Sequence, residues 1–152
     1  MAQGPKQHMR LTTYTDYSLR VLIFVGLKGD SLSTISEISE RYSISRNHLM
    51  KVVNQLSQDG YLKTIRGKNG GMLLARAPDT IGLGDVVRDM EDNLDIVECF
   101  DKKKGCCQID GYCQLQGILG EAIVAFFEVL DRYTLKDLMH NRLDLQRALS
   151  LT

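Results

Sequence analysis

The stretch that decides the fold covers residues 33–62, "STISEISERYSISRNHLMKVVNQLSQDGYL". Thr34 and Glu37 form a capping box, which is typical of a helix start, and a short apolar stripe follows them. After the brief turn "YSIS", Ser45 can cap a second helix that continues to about Gln58. Two short helices joined by a tight turn predict a helix-turn-helix.

The outer face of the second helix carries residue types that suit a DNA groove. Asn and Gln can pair with adenine, whereas Arg and Lys reach guanine edges or phosphates. No acidic residue occurs between positions 45 and 58, although an ordinary solvated helix face remains the alternative. The DNA contacts predicted from this helix are Ser45, Arg46, Asn47, His48, Lys51, Asn54 and Gln55.

The residues that follow predict a β-hairpin. The stretch "YLKTIRGKNGGMLLA" (61–75) has two strand-like runs, and Asn69-Gly70 is a strong signal for a tight turn. Arg66, Lys68 and Asn69 are predicted to contact DNA from this hairpin. A helix-turn-helix followed by a basic hairpin indicates a winged helix, whose wing contacts phosphates or enters a minor groove.

The net charge of zero conceals an uneven distribution. Residues 1–77 hold 11 Lys and Arg against 5 Asp and Glu, a net charge of +6. Residues 78–152 hold 8 against 14, a net charge of −6. This division indicates that the amino-terminal half meets a polyanion, with chance variation on a solvated surface as the alternative.

Two further predicted helices carry apolar residues on more than one face. One is predicted over Thr13–Lys28, with Leu19, Ile23 and Leu27 on a second apolar face that a partner subunit would cover. The other extends from Cys113 to about Tyr133 and is apolar around much of its circumference. A homodimer would cover both helices, and burial within a single chain is the alternative.

All four cysteines lie in "CFDKKKGCCQIDGYC" (99–113). Their intervals do not match a zinc finger, in which paired ligands are two to four residues apart. Thiols spread over a loop suit an iron–sulfur cluster better, because its irons are separated in space. A structural zinc site and a redox disulfide remain alternatives. An enzyme is not expected, because no reactive Cys-x-x-Cys pair or catalytic triad is visible.

The predicted fold class is mainly α with a small β-hairpin, a winged helix-turn-helix plus a long dimerisation helix. The predicted segments are a disordered arm or tag remnant (1–8), the DNA-binding domain (9–78), a connecting helix at about 82–91 with a cysteine loop (79–112), the dimerisation helix (113–140) and a tail (141–152). The chain has neither a membrane-length apolar run nor a signal-peptide core, which favours a cytoplasmic location.

Three segments resemble one family of bacterial winged-helix regulators, to which IscR belongs. They are "MRLTTYTDYSLR" (9–20), "SRNHLMKVVNQLSQDGYLKTIRGKNGGMLLA" (45–75) and "IGLGDVVRDME" (81–91). The resemblance covers about residues 9–140. Within the family, "TDY", "RNHL" and "RGKNGG" are similar to the repressors that sense nitric oxide.

The resemblance implies a homodimer that binds an inverted-repeat operator and releases it when nitric oxide reacts with a bound iron–sulfur cluster. The implied ligands are Cys99, Cys107, Cys113 and Asp16 of the partner subunit, with Cys106 as an alternative to Cys107. The cluster is 2Fe-2S or 4Fe-4S. A cluster-free thiol switch and a zinc-structured regulator are the alternative functions.

Overall fold

The computed structural model describes residues 10–101 and 107–151; the predicted arm (1–8) and Cys106 lie outside this description. The chain is mainly helical with one β-hairpin, as predicted. Its elements are α1 (Thr13–Lys28), α2 (Ile35–Tyr42), α3 (Arg46–Gln58), β1 (Leu62–Ile65), β2 (Gly71–Leu74), α4 (Leu83–Met90), α5 (Gln114–Leu130), α6 (Leu135–Leu138) and α7 (Arg142–Ala148). Within the described ranges, no helix has both the length and the apolar character of a membrane span.

The helix-turn-helix forms as the sequence predicts. The Thr34 hydroxyl accepts a hydrogen bond from the backbone of Glu37 at 3.2 Å, and the Glu37 carboxylate accepts one from the backbone of Thr34 at 2.8 Å. Ser43 ends α2 in the left-handed conformation, with φ of 54°. Ser45 then caps α3 by accepting a hydrogen bond from the backbone of His48. Both predicted helix starts are confirmed.

The core lies around α1. Val21, Leu22 and Phe24 are fully buried on this helix, and the apolar stripe of α3 packs against it. The second face of α1 is partly covered by the chain itself, because Leu27 is only 1% exposed. The prediction that Leu27 faces a partner subunit is therefore wrong. Gly26 allows this covering: a Cβ at that position would lie 2.7 Å from the sulfur of Met139.

The hairpin pairs Leu62 with Leu74 and Ile65 with Gly71 in antiparallel register. The connection between the strands falls within "RGKNGG" (66–71), as the sequence predicts, and contains the Asn69-Gly70 pair. Residues 66–70 link the strands, and the turn closes with a hydrogen bond from the Gly70 amide to the Gly67 carbonyl at 3.0 Å. Gly67 has a φ of 114°, a backbone conformation that glycine adopts readily.

The carboxy-terminal residues fold back onto α1. The long helix α5 ends at Leu130, three residues before the predicted end at about Tyr133, and the segment 113–140 also contains the short helix α6. The predicted tail contains α7, from which Arg142 and Gln146 donate hydrogen bonds to the Leu27 carbonyl at 2.7 and 3.0 Å. The last carbonyls of a helix lack partners within that helix, so α7 supplies donors that α1 cannot provide for itself.

Candidate nucleic-acid interface and cysteine site

The outer face of α3 is open to solvent along its length. Its inner face buries Leu49, Val52, Val53 and Leu56. The predicted contact residues that are exposed on this helix and its cap are Ser45, Arg46, Asn47, His48, Lys51 and Asn54. The structure thus leaves these polar and basic side chains available to a groove, and no carboxylate of α3 opposes a phosphate backbone.

Gln55 is placed differently from the other predicted contact residues. It is half-buried, and its amide donates to both carboxylate oxygens of Asp59 at 3.1 and 2.9 Å. A base contact from the Gln55 amide nitrogen would have to replace these bonds. The sequence did not reveal this pairing, although the i,i+4 spacing of Gln and Asp on a helix is a known signal for it.

The hairpin presents its basic turn to solvent and is anchored at its base. Arg66, Lys68 and Asn69 are all exposed. At the base, the buried Tyr61 hydroxyl donates to the Asp89 carboxylate on α4, and the Arg76 guanidinium lies 4.4 Å from the centre of the Tyr61 ring. Burial, followed by the bond to Asp89, raises the pKa of Tyr61. The phenol therefore remains a donor that attaches the wing to α4.

A hydrogen bond that the sequence did not predict joins α1 to the recognition helix. The Tyr14 hydroxyl donates to the backbone carbonyl of Lys51 at 3.0 Å. Burial, followed by the charges of Asp59 and Asp92, raises the pKa of Tyr14, so this phenol also remains protonated. The rings of Tyr17 and His48 pack beside it with centroids 6.1 Å apart.

A second unpredicted contact joins the start of α1 to the end of α4. The backbone amide and hydroxyl of Thr12 both donate to one carboxylate oxygen of Glu91, at 2.7 and 3.1 Å. Thr12 is the amino-terminal cap of α1, and Glu91 is the carboxy-terminal cap of α4. Because the two residues are 79 positions apart, no local sequence pattern could have revealed this contact.

Two cysteines lie near the amino-terminal end of α5. Cys113 is the cap residue of this helix, and Cys99 lies in the short 3₁₀ turn Glu98–Phe100. The side-chain amide of Gln116, in the first turn of α5, donates to the Cys99 carbonyl at 3.2 Å. Both cysteines are half-buried free thiols, whereas Cys107 is an exposed free thiol in the turn that leads into Cys113.

The donor chemistry of this end of α5 fits an iron–sulfur cluster. Thiolates are the ligands that such clusters take, and the amino terminus of α5 favours negative charge and carries no side-chain cap. Within residues 10–101 and 107–151, no three His, Cys, Asp or Glu side chains surround one metal position. The alternative ligand Cys106 lies outside the described residues, so the choice between it and Cys107 stays a prediction.

Asp16 occupies the first turn of α1 and already has a partner. Its carboxylate accepts two hydrogen bonds from the Arg20 guanidinium, at 2.9 and 3.2 Å. Both side chains are close to half exposed, which leaves the Asp16 carboxylate reachable from outside the chain. A ligand role for Asp16 stays a prediction that requires a second subunit and an exchange of this ion pair.

The order of helices followed by an anchored hairpin defines a winged-helix regulator, and comparison with known proteins agrees. The model of the Rrf2 family, described as iron-dependent transcriptional regulators, matches residues 11–141. The chain therefore belongs to the Rrf2 family. Two solved structures share the fold: CymR, the global cysteine regulator of B. subtilis (TM-score 0.70, 28% identity, 86% of this chain and 96% of that one), and T. potens IscR (TM-score 0.71, 23% identity, 90% of each chain).

The most informative similarity is to a particular regulator within that family. The chain is 51% identical to the HTH-type transcriptional regulator NsrR of Bacillus subtilis, over 94% of this chain and 99% of that protein. The likeness to the two solved structures confirms the predicted fold class. The identity of about half of the residues supports the resemblance that the "TDY", "RNHL" and "RGKNGG" motifs indicated.

Proposed function

We propose that this protein is a homodimeric transcriptional repressor that binds an inverted-repeat operator and releases it in response to nitric oxide. An iron–sulfur cluster would be held by Cys99, Cys107 and Cys113, with Asp16 of the partner subunit as the fourth ligand. The family match and the similarity to NsrR support regulation of transcription. The ligand set, the operator symmetry and the response to nitric oxide are what the family resemblance implies, whereas the exposed surfaces of α3, the hairpin and α5 support DNA binding and a dimer.

The exposed faces of α3 and the hairpin support DNA binding. Arg46 and Lys51 on the helix, with Arg66 and Lys68 on the hairpin turn, present positive charge to solvent. Contacts of this kind with phosphates supply most of the affinity of non-specific binding and make it depend on salt. The amides of Asn47 and Asn54 lie on the same outer face as Lys51 and would read base edges.

The surface of α5 supports a homodimer. Among the described residues of this helix, Phe127 alone is buried. The large apolar side chains that remain exposed on the helix are Leu115, Ile118, Val124, Phe126 and Val129. An apolar surface along a whole helix marks an interaction site, and a second copy of the same helix covers it with a symmetric contact.

The observation that carries the sensing part of the proposal is the connection from the cysteine segment to α3. Glu91 holds the cap of α1 through Thr12, and residues 92–98 lead from Glu91 to the cysteine segment (99–113). Two residues further along α1, Tyr14 holds the backbone of α3 through Lys51. A displacement at the end of α4 is therefore passed to the recognition helix through the first turn of α1.

A bound cluster would supply iron sites that a small diatomic molecule can reach. The chain's own part is to hold the thiol ligands at the end of α5 and to position α3. An effector moves this equilibrium only by its differential affinity for the DNA-binding and released states. A small change in the separation of two recognition helices is enough, because half-site spacing is a geometric requirement.

The test is iron and sulfide analysis of the full chain purified without oxygen, combined with binding to an operator selected from random duplexes. We expect a coloured protein that loses its colour in Cys99→Ala and Cys113→Ala and retains it in Cys106→Ala. Nitric oxide should release the DNA. A colourless protein with stoichiometric zinc, or a metal-free protein switched by oxidation, would replace this proposal with one of its two alternatives.

A further inference from the structure

The DNA-binding part of the chain leaves two large apolar side chains exposed. Within the described residues 10–91, these are Met50, which is 57% exposed, and Ile65, which is 42% exposed. Both lie in the elements proposed to contact DNA, since Met50 is on α3 and Ile65 ends β1 beside Arg66. Exposure of large apolar side chains in this region is therefore confined to the proposed interface.

Met50 has a position from which it can reach a base. It is the fifth residue of the 13-residue helix α3, and recognition helices contact base edges with their amino-terminal part. It lies one turn after Arg46 and one turn before Asn54, both of which are exposed. At 100° per residue, Met50 falls at the edge of the outer face whose centre holds Asn47 and Lys51.

The chemistry of the major groove offers one apolar group that matches this side chain. Each thymine presents its C5-methyl group there, and no other base of unmodified DNA does. A methionine side chain is unbranched and flexible, so it adapts its thioether and terminal methyl group to an apolar partner. The neighbouring Asn, Arg and Lys side chains have donors for polar base edges and phosphates but no comparable apolar end.

We infer that Met50 determines operator specificity by contacting the C5-methyl group of a thymine in each half-site. This inference rests on the proposed function, because it requires α3 to enter the major groove. It adds a residue to the predicted polar contacts and names the base that the residue recognises. Ile65, at the hairpin turn, would instead lie against the DNA backbone and contribute without base preference.

The test replaces thymine by deoxyuridine, which removes only the methyl group. The full chain, purified without oxygen, is bound to an operator selected from random duplexes, and each thymine is replaced in turn. We expect one position in each half-site at which the replacement weakens wild-type binding about fourfold, the effect of removing one buried methyl group. For Met50→Ala, the thymine and deoxyuridine duplexes should bind equally well.

Ile65→Ala is the matched control, since it shortens the other exposed apolar side chain. It should weaken binding to all duplexes while retaining the thymine preference. The inference is overturned if wild-type protein binds the operator but no thymine replacement matters, or if Met50→Ala retains the full preference. If the wild-type protein selects no operator, DNA binding itself fails, and the proposed function falls together with this inference. Thermal unfolding of both variants verifies that neither substitution affects the fold.

Discussion

The helices α3 and α5 differ in what covers their apolar side chains. Helix α3 buries four apolar residues against α1 and leaves a polar face outside, whereas α5 buries Phe127 alone among its residues. The core of the DNA-binding part is thus completed within one chain. The apolar surface of α5 stays exposed to solvent unless a second molecule covers it. The two helices should therefore respond differently to the same kind of substitution.

Helix α5 is attached to the rest of the chain at its carboxy-terminal end. The Arg88 guanidinium donates two hydrogen bonds to the Asp131 carboxylate, at 2.7 and 2.8 Å, and lies 4.2 Å from the centre of the Phe127 ring. Gly84 permits this approach, because a Cβ there would collide with Asp131. The amino-terminal end of α5, where Cys113 lies, has a different attachment through Gln116 and Cys99.

The largest expected effect comes from truncating a buried ring. Phe24→Ala should lower the free energy of unfolding by about 3–5 kcal/mol, because Phe24 is fully buried in the core. The difference between Phe24→Ala and wild type should be the same at every protein concentration, because this substitution leaves the surface of α5 unchanged. Phe126→Ala, on α5, should destabilise in a concentration-dependent manner, because Phe126 is 45% exposed and would be covered by a second chain. Urea unfolding at two protein concentrations measures both variants. If the loss of stability depends on concentration in both variants or in neither, the proposed difference between the core and the α5 surface is contradicted.

The next largest effect should come from a charge on the exposed face of α5. Ile118, which is 59% exposed, would be buried in a dimer, so Ile118→Asp should produce monomers. Operator affinity should then fall about 100-fold, because the two half-sites are no longer bound by one particle. Sedimentation and operator binding measure the two effects.

Leu143→Asp is the control for the α5 substitution, because Leu143 is 66% exposed on α7 and lies outside α5. It should leave both the mass and the operator affinity unchanged. If Ile118→Asp also sediments as a dimer, α5 is not the dimer contact, and its exposed face needs another explanation.

A smaller effect is expected where α1 joins α3. Tyr14→Phe removes the hydrogen bond to the Lys51 carbonyl and should lower the free energy of unfolding by about 1 kcal/mol. It should also bring the operator affinities of the untreated and nitric-oxide-treated protein closer together. Tyr17→Phe, whose ring also packs on α3, is the control. An unchanged difference between treated and untreated protein in Tyr14→Phe would show that this bond does not transmit the response.

The smallest effect concerns the capping box of α2. Burial raises the pKa of Glu37, but hydrogen bonds from Lys28 and Thr34 exceed this effect and leave the pKa below its ordinary value of 4.5. A carboxylate whose pKa is lower in the folded state stabilises the fold at pH values above the unfolded-state pKa. This stabilisation is lost as the pH falls through the folded-state pKa. Glu37→Gln should therefore be less stable than wild type at about pH 6, by less than about 1 kcal/mol, and the difference should shrink towards about pH 3.

The control for this pH dependence is Glu40→Gln, which removes an exposed carboxylate from the same helix. Its stability difference from wild type should be nearly constant across the same pH range. Chemical unfolding at several pH values measures both variants. A Glu37→Gln difference that does not shrink at low pH would mean that the cap contributes no charge-dependent stability.

Local patterns predicted the helices well because their signals are contained in a few consecutive residues. The Thr34–Glu37 capping box and the Ser45 cap both formed as expected, and α1 began and ended at the predicted residues. The long helix was predicted to end at about Tyr133 and ends at Leu130, and the segment 113–140 named after it contains a second helix. Thr134 and Asp137 start a new helix with their own capping box, a signal that was overlooked between Leu130 and Leu135.

The candidate site also contains residues that local sequence patterns revealed and residues that they did not. The exposed basic and amide residues of α3, the hairpin and the cysteine cluster were recognisable from residue type and spacing alone. The pairing of Gln55 with Asp59 was missed, although its spacing was visible in the sequence. The exposure of Met50 could not be judged from its residue type, because methionine at such a position is usually part of a core.

By itself, the sequence determined the elements, their order and the chemistry of their side chains. Capping, helical periodicity and glycine turns act over fewer than about ten residues. Only the tertiary structure decided that α7 covers the end of α1, that Thr12 meets Glu91 and that Tyr14 reaches Lys51. Each of these contacts joins residues far apart in the chain, and packing of the whole core selects them.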